Sequence, residues 1–266
     1  MPRIDTSVPS VARVYDYLLG GKDNFAADRE AAERQAAAVP ALPWLARQNR
    51  AFLRRAVRFV ADQGITQFLD LGSGLPTNEN VHEVAQQVRP DARVVYVDID
   101  PIAVSHGRAL LAGKQTEAVW GDLCRPDGLL ADPDIRRLID FSQPVAVLAV
   151  SVLHGIPDES GPAEALARLR AVMAAGSYLV ISHAAVSPEH VVGTEYRSKA
   201  ARELADANKT SAALPGRGRD EIAALFGDLT LVEPGLTDIW AWRPEARQTE
   251  VPNDVFRMLG AVARKG

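Results

Sequence analysis

From residue 66 onward, short apolar runs alternate with segments in which apolar residues recur every three or four positions. The apolar runs predict five strands, at 66–72, 92–100, 118–120, 144–152 and 177–184. The segments around them predict helices at 83–88, 101–111 and 162–174. Near-continuous runs of Val, Leu and Ile that alternate with helices are typical of a parallel sheet covered on both faces.

The C-terminal part of the chain adds a helix at 221–226 and two further predicted strands, 229–234 and 237–244, joined through Gly235. In the second of these strands Asp238, Trp240 and Trp242 would share one face, since side chains alternate along a strand. The pattern therefore predicts an α/β, Rossmann-like fold. Its sheet would be mostly parallel and seven-stranded, with helices on both faces.

The first 64 residues precede the sheet and have helical patterns at 28–39 and 44–63, separated by prolines. We therefore expect an N-terminal helical cap at 1–64 that forms one unit with a ligand-binding domain at 65–266. The stretch 186–219 is long enough to form a lid insertion and to carry acceptor specificity.

A glycine turn follows the first predicted strand, in the sequence DLGSGLPT at 70–77. Gly72 and Gly74 let a ligand approach the backbone at the carboxyl end of the sheet, where open α/β folds bind their ligands. The next strand ends in Asp98, whose carboxylate is placed to accept hydrogen bonds from both hydroxyls of a ribose. These residues predict a nucleoside site; the alternative is a tight turn beside a solvated strand end.

The turn and its charge discriminate between nucleosides. A dinucleotide-binding turn would have a third glycine where Thr77 stands, and Pro76 lacks a backbone N–H that would face a pyrophosphate. Four carboxylates at strand ends would line one rim and repel a diphosphate: Asp70, Asp98, Asp100 and Asp122. S-adenosylmethionine carries an ammonium and a sulfonium against one carboxylate, so the rim favours it over NAD. Asp100, directly before a proline, equally suits a helix N-cap, and Asp122 a turn.

Three segments, FLDLGSG (68–74), VVYVDIDP (94–101) and GDL (121–123), resemble the first three motifs of Rossmann-like S-adenosylmethionine-dependent methyltransferases. The resemblance covers about residues 65–185, and the order and spacing of three motifs make it specific. It implies that Asp70 orients the methionine amine, that the turn at 72–74, with Gly72, Ser73 and Gly74, passes the methionyl and ribose portion, and that Asp98 binds the ribose. It further implies that Ile99 covers one adenine face and that Asp122 and the Leu123 backbone contact the adenine edge.

A narrower resemblance spans almost the whole chain. Four segments are similar to an actinobacterial family of methyltransferases without assigned acceptors: 12–29, 49–59, 74–86 and 231–236. This resemblance implies that the cap belongs to the enzyme. In the cap, the double glycine at Gly20 and Gly21 breaks a helix, so its backbone is a candidate to close over the methionyl end. Arg50 is a candidate bidentate partner of the methionine carboxylate, or alternatively a solvated residue of an arginine-rich helix.

Residues after the fourth strand lie beside the transferred methyl group in this fold, and here they include Ser151 and His154. His154 is the first candidate for a general base, because the ordinary pKa of histidine lies near neutrality. The alternative is a histidine bonded to a backbone carbonyl at a strand end. His183, at the end of the fifth strand, is a second candidate base, and Ser151 is expected to contact the cofactor.

The composition of the chain restricts the kinds of partner that we expect, among nucleic acids, membranes and metal ions. The 266 residues have a formal net charge of −4, which gives no sign of nucleic-acid binding. A secretory signal and an apolar stretch that could span a membrane are both missing from the pattern, so we expect a cytoplasmic protein without membrane contact. With one cysteine, Cys124, and no metal-ligand spacing among five histidines, we expect no metal site. The oligomeric state stays open.

The acceptor is predicted by exclusion. The Asp/Asn-Pro-Pro-aromatic sequence of amide and adenine N-methyltransferases does not follow the fourth strand, and Cys124 lacks the preceding proline typical of cytosine methylation. A small-molecule hydroxyl, amine or carboxylate is left as the acceptor of an in-line methyl displacement. Two alternatives are a non-catalytic S-adenosylmethionine sensor or partner protein and a short-chain oxidoreductase. The second lacks the Tyr-x-x-x-Lys pair, since Tyr196 and Lys199 are only three apart.

Overall fold

The computed structural model describes residues 5–77, 79–111, 113–185, 217–245, 251 and 257–266. Of the predicted lid, 186–219, only the last three residues are among them, so that prediction lies outside the described residues. Each of the described helices is too short or too polar to cross a bilayer.

In the described part of the chain, eight strands form one sheet. They are β1 (Gln67–Leu71), β2 (Arg93–Asp98), β3 (Thr116–Trp120), β4 (Ala146–Val150), β5 (Tyr178–Ala185), β6 (Thr230–Leu231), β7 (Thr237–Asp238) and β8 (Arg257–Arg264). The spatial order is β3-β2-β1-β4-β5-β8-β6, with β7 also paired to β8. Strands β1 to β5 are parallel, whereas β8 runs antiparallel to β5, β6 and β7. The predicted α/β fold with a mostly parallel sheet is confirmed.

The strand count of seven and the strand predicted at 237–244 are wrong. Only Thr237 and Asp238 pair with β8, after which the chain turns back and the N–H groups of Ala241 and Trp242 both bond to the Asp238 carbonyl. Trp242 is buried edge-on against Phe52 of the cap rather than alternating along a strand. The long antiparallel strand is instead β8, a C-terminal apolar run that pairs with β5 over eight residues.

Nine described helices surround the sheet. They are α1 (Val11–Leu18), α2 (Ala26–Ala38), α3 (Leu42–Asp62), α4 (Val81–Val88), α5 (Pro101–Leu110), α6 (Pro126–Ala131), α7 (Pro133–Leu138), α8 (Pro162–Val172) and α9 (Arg219–Ala224). Pro43 lies in the first turn of α3, where a missing N–H costs nothing. Two apolar clusters, one on each face of the sheet, form the core that the alternating pattern predicted.

The cap consists of α1, α2 and α3. Phe52 of α3 lies in the same apolar cluster as Phe68 of β1 and Leu148 of β4, so α3 covers one face of the sheet directly. Helices α1 and α2 are joined by a buried ion pair between Arg13 and Asp28, with 3.0 Å between Nε and Oδ2. The cap is thereby attached both to the sheet and to itself through buried contacts.

Candidate functional site

The candidate site lies at the carboxyl ends of β1, β2 and β4. The chain leaves β1 toward β2 on one side, and β4 lies on the other side of β1, which makes this the place where the strand order reverses. Open α/β sheets bind ligands at such a position. The glycine turn predicted at 72–74 is held there, because the N–H groups of Gly72 and Ser73 both bond to the Val97 carbonyl, at 2.8 and 3.2 Å.

Asp98, the last residue of β2, holds the glycine turn in place. It is 8% exposed, and its two carboxylate oxygens accept hydrogen bonds from the N–H of Gly74 at 2.7 Å and from the N–H of Asp100 at 2.8 Å. Burial raises the pKa of this carboxyl, and the two backbone donors oppose the shift. Each oxygen keeps a further lone pair for a ligand hydroxyl. The order of strands β1 and β2 thus brings Asp98 to the glycine turn, as the sequence predicted.

Asp70, the fourth residue of β1, is the other buried carboxylate of the site. It is 6% exposed and has no hydrogen-bond partner among the residues that the structure describes. Burial raises its pKa to about 7; the Arg50 charge lowers the pKa, and Asp98 raises it. A buried carboxylate without a partner costs free energy, which a cationic ligand group would recover.

Arg50 of α3 lines the same crevice as Asp70, Ser73 and Gly74. Its Nη2 donates to the Glu79 carbonyl at 3.3 Å, so the guanidinium lies over the start of α4. The side chain is half-buried, and the opposite charge on Asp70 lies close enough to affect the pKa of that carboxyl. The structure therefore places Arg50 beside the turn rather than on a solvated face.

An exposed apolar pair borders the other side of Asp98. Ile99 is 59% exposed, and the indole N–H of Trp120, itself 43% exposed, donates to the Ile99 carbonyl at 3.0 Å. Leu123 is buried, and the Asp122 carboxylate accepts from the N–H of Cys124 at 2.8 Å. Sequence reasoning missed Trp120, although its place as the last residue of β3, opposite Asp98, was a usable signal.

The cap reaches the site through two contacts with α5. Ser10 donates its hydroxyl to the carboxylate of Asp100, which also caps α5 by accepting from the Ile102 N–H at 2.8 Å. The Asp100 side chain is therefore a helix cap, which was the alternative reading of this residue. Asp23, in the loop after the double glycine, lies 3.9 Å from His106 of α5.

The double-glycine loop is held from inside the cap. Asp16 accepts from the Asp23 N–H at 3.0 Å and from the Asn24 amide at 2.9 Å. Gly21 lies so close to Asp16 that a methyl group on it would overlap the carboxylate. The loop is thus a fixed turn next to α5.

The segment after β4 packs on the glycine turn. Ser151 has a positive φ of 60°, a strained conformation for a non-glycine residue, and its N–H bonds to the Ser182 carbonyl at 3.1 Å. Val152 fills the space that a side chain on Gly72 would need. His154 follows two residues later and is half-buried, whereas His183 is completely buried. Their ring centroids are 5.6 Å apart, so the structure brings the two predicted bases together.

Arg217 completes this cluster. It is buried and donates to His183 Nε2 at 2.8 Å, to the Leu153 carbonyl at 2.9 Å and to the carboxylate of Asp158 at 2.5 Å. It therefore holds the segment after β4 against the end of β5. Sequence reasoning missed Arg217, and one arginine among many at the edge of a long connection gave no signal.

The two glycines of the turn predict different costs for a side chain. Both have positive φ, +69° at Gly72 and +67° at Gly74, but only at Gly72 would a methyl group meet a neighbour, Val152. We expect Gly72→Ala to lower the free energy of unfolding by about 2–4 kcal/mol and Gly74→Ala by about 1 kcal/mol, measured by denaturant unfolding. Equal losses would contradict the close packing of the segment after β4 on this turn.

Among the residues that the structure describes, no group of three or more His, Cys, Asp or Glu side chains is placed to hold a metal ion. The polar groups of the site include two buried carboxylates, the guanidinium groups of Arg50 and Arg217, turn N–H groups and two histidines.

Comparisons with known proteins agree with this arrangement. A family model described as S-adenosyl methyltransferase matches residues 1–266. The chain is 43% identical to a crystallised protein from Thermobifida fusca YX that carries the provisional name of methyltransferase; the match covers 98% of this chain and 96% of that one, with a TM-score of 0.89. It is 38% identical to a DUF574 family protein from Streptomyces avermitilis, over 99% of this chain and 100% of that one, with a TM-score of 0.91. Among curated proteins none matches.

The family model covers every residue, and both structural relatives match nearly their whole length. The fold and the cofactor class predicted from the three motifs are confirmed by these matches. The chain belongs to the S-adenosyl methyltransferase family and is an S-adenosylmethionine-dependent methyltransferase.

Proposed function

We propose that the protein transfers a methyl group from S-adenosylmethionine to an oxygen or nitrogen atom of a small-molecule acceptor by in-line displacement. The observation that carries the placement of the cofactor is Asp70, a buried carboxylate with no partner among the described residues, at the carboxyl end of β1. An ammonium group is the kind of ligand that such a carboxylate accepts. The neighbouring Asp98, with lone pairs left over, suits the ribose hydroxyls.

The residues of the turn would hold the cofactor between these two carboxylates. Ser73 and Gly74 line the crevice, the space next to Gly74 is open, and Gly72 connects them to β1. Arg50, on the wall of the crevice, would take the methionine carboxylate. The cap loop at Gly21 would close over the methionyl end, since its neighbour Asp23 already lies beside α5.

The adenine would lie on the far side of Asp98. Ile99 offers an exposed apolar surface there, and Trp120 fixes the Ile99 carbonyl. The Asp122 side chain and the Leu123 backbone would contact the adenine edge. Oδ1 of Asp122 already accepts one backbone hydrogen bond, and Oδ2 lies 3.7 Å from Nε of the exposed Arg125, so a ligand would share Oδ2 with that surface ion pair.

When bound, the cofactor supplies an electrophilic methyl group on a sulfonium. The chain's own task is then to position the acceptor, which supplies much of the rate of an in-line displacement. Ser151 and His154 are the candidates to position the acceptor, because their segment packs on the glycine turn. One ring nitrogen of His183 bonds to the Ala184 carbonyl and the other to Arg217. Arg217 in turn bonds to the Leu153 carbonyl and so connects His183 to that segment.

Neither histidine suits a general base near neutral pH, because burial lowers the pKa of His154 to about 4 and that of His183 to about 3. The transfer we propose is therefore one that needs no histidine base.

Transfer is tested with methyl-tritiated S-adenosylmethionine and a panel of small carboxylates, phenols, alcohols and amines. We expect one of these classes of compound to become labelled, as a neutral or an amine product. We expect the Asp98→Ala variant to transfer the methyl group at a rate at least tenfold below that of the wild type. Exposed Asp91, in a surface ion pair, gives the matched control Asp91→Ala, which should transfer at the wild-type rate. Cofactor binding without transfer to any of these classes would contradict the proposed small-molecule acceptor, and transfer that Asp98→Ala leaves unchanged would contradict the site.

A further inference from the structure

The end of β4 leaves one backbone donor of β5 without a strand partner, and His154 takes it. Strand β4 ends at Val150, while β5 continues to Ala185. Beyond the last paired residues, the N–H of Ala184 donates to Nδ1 of His154 at 3.4 Å. Because a backbone N–H can only donate, this contact keeps Nδ1 of His154 without a proton. A neutral ring with a bare Nδ1 carries its proton on Nε2.

His183 is fixed in the opposite tautomer. Its Nδ1 lies 2.7 Å from the Ala184 carbonyl, which only accepts, so Nδ1 carries the proton. Its Nε2 lies 2.8 Å from Nη1 of Arg217, which only donates, so Nε2 is bare. Both nitrogens of His183 are thus engaged, and a second proton on the ring would face the guanidinium.

The surroundings of His154 keep it uncharged. Among the described residues, the titratable and charged groups around it are the His183 ring on β5 and Arg217, whose guanidinium is paired with Asp158 on its far side. A proton on Nδ1 of His154 would face the Ala184 N–H and add a positive charge beside Arg217. Burial and this charge both lower the pKa of His154.

Of the four ring nitrogens of His154 and His183, Nε2 of His154 is the one without a partner among the described residues. It has no hydrogen-bond partner in the described part of the chain, and the ring is half-buried rather than closed off. The segment that carries it packs on the glycine turn through Val152. Its N–H is therefore the donor of this cluster that is left for a ligand, on a segment that packs on the glycine turn.

We propose that His154 is a hydrogen-bond donor, through Nε2–H, to an acceptor that arrives with an anionic oxygen, a carboxylate or phenolate, rather than a base that removes its proton. This inference rests on the proposed methyl transfer and names its acceptor class. The acceptor oxygen forms the new bond to the methyl carbon while the carbon–sulfur bond breaks, and that bond's electron pair stays on sulfur. The anion becomes a neutral ester or ether, the sulfonium becomes a thioether, and no proton leaves.

Nitrogen spectra of the full-length protein labelled with ¹⁵N-histidine test the proton positions directly. Long-range proton–nitrogen correlations distinguish the two neutral tautomers and the charged ring, and His154→Gln identifies the His154 signals. We expect His154 as neutral Nε2–H and His183 as neutral Nδ1–H throughout about pH 5.5 to 8.5. A His154 ring that titrates near its ordinary pKa of about 6.5, or that carries its proton on Nδ1, would overturn the proposal.

The acceptor class is tested on the same sample with S-adenosylhomocysteine bound. Added acetate should shift the His154 Nε2–H signal, and acetamide, the matched neutral compound, should shift it much less. Equal shifts from both, or an unchanged signal at the highest acetate concentration, would overturn the anionic-oxygen assignment. These spectra need no turnover, so their failure is distinguishable from failure of the methyl-transfer assay.

Substitutions give a second readout in the tritium assay. His154→Gln keeps an N–H donor near the position of Nε2 and should retain transfer within about tenfold, whereas His154→Leu should lose about 10- to 100-fold. With saturating S-adenosylmethionine, whose amine would keep Asp70 ionised, the wild-type rate with a carboxylate acceptor should stay flat between about pH 6 and 8, because no histidine changes charge there. Equal loss in both variants together with a rate that follows a midpoint near 6.5 would identify a base instead.

Discussion

Asp98→Ala is expected to weaken binding of S-adenosylmethionine by about 2–4 kcal/mol, roughly 30- to 1000-fold in the dissociation constant. The carboxylate would bind the ribose through its spare lone pairs, and it also holds the Gly74 and Asp100 N–H groups in place. Truncation therefore removes ligand contacts and leaves the turn without its internal acceptor. Calorimetric titration measures the effect, with S-adenosylhomocysteine as a second ligand.

The control for this variant is Asp91→Ala, which removes a carboxylate of the same type from an exposed surface pair with Arg89. It should bind like the wild type, since surface pairs contribute little. A change of less than tenfold for Asp98→Ala would mean that the ribose lies elsewhere.

Asp70→Asn is expected to abolish detectable binding of S-adenosylmethionine and yet to stabilise the ligand-free protein at alkaline pH. In the folded protein the pKa of Asp70 is raised from 3.8 to about 7, so the folded state holds this proton more tightly than the unfolded chain does. Stability from this group is therefore complete below about pH 4 and is lost as pH rises through 7. At pH 8 the buried charge costs on the order of 2–4 kcal/mol, which an amide of the same shape avoids.

Thermal unfolding at two pH values separates this effect from a general change in packing. Asp70→Asn should unfold at a higher temperature than the wild type at about pH 8 and with a much smaller difference at about pH 5, where Asp70 is already neutral. A lower unfolding temperature at the alkaline pH would contradict the assignment of Asp70 as an unpartnered, destabilising carboxylate. A carboxylate that destabilises the folded chain agrees with a role in ligand binding rather than in folding.

The part of the site that follows from strand order could be predicted from the sequence. Apolar runs fix where β1 and β2 end, and parallel neighbours bring their carboxyl ends to one edge, so Asp98 had to meet the glycine turn. Asp70 was readable for the same reason. Of the cap helices, α2 and α3 were predicted and α1 was not; α3 was the clearest, since it has a continuous apolar face.

The C-terminal strands could not be assigned in this way. Residues 237–244 alternate like a strand, but Trp242 is buried against Phe52 and Phe59, and two hydrogen bonds to the Asp238 carbonyl turn the chain away. Those contacts are long-range, and a local pattern contains no information about them. The apolar residues of β8 are themselves a strand signal, but only the packed structure shows that this run, rather than 237–244, pairs along the whole of β5.

The tautomers and charges of the two histidines could not be predicted from the sequence either. An ordinary pKa near neutrality favoured His154 as a base, but the tautomer and charge of a ring depend on its neighbours. Here the neighbours are Ala184, one residue past His183, and Arg217, which is far away in the chain. Only the packed structure brings these groups to the end of β4.

A crystal structure of the complex with S-adenosylhomocysteine is the most direct test of the proposed site. The account predicts that the Asp98 carboxylate binds both ribose hydroxyls, that Asp70 lies on the side of the methionyl amine, and that the sulfur faces the segment containing Ser151 and His154. A nucleoside bound away from Asp98, or a methionyl group that leaves Asp70 without a partner, would contradict it.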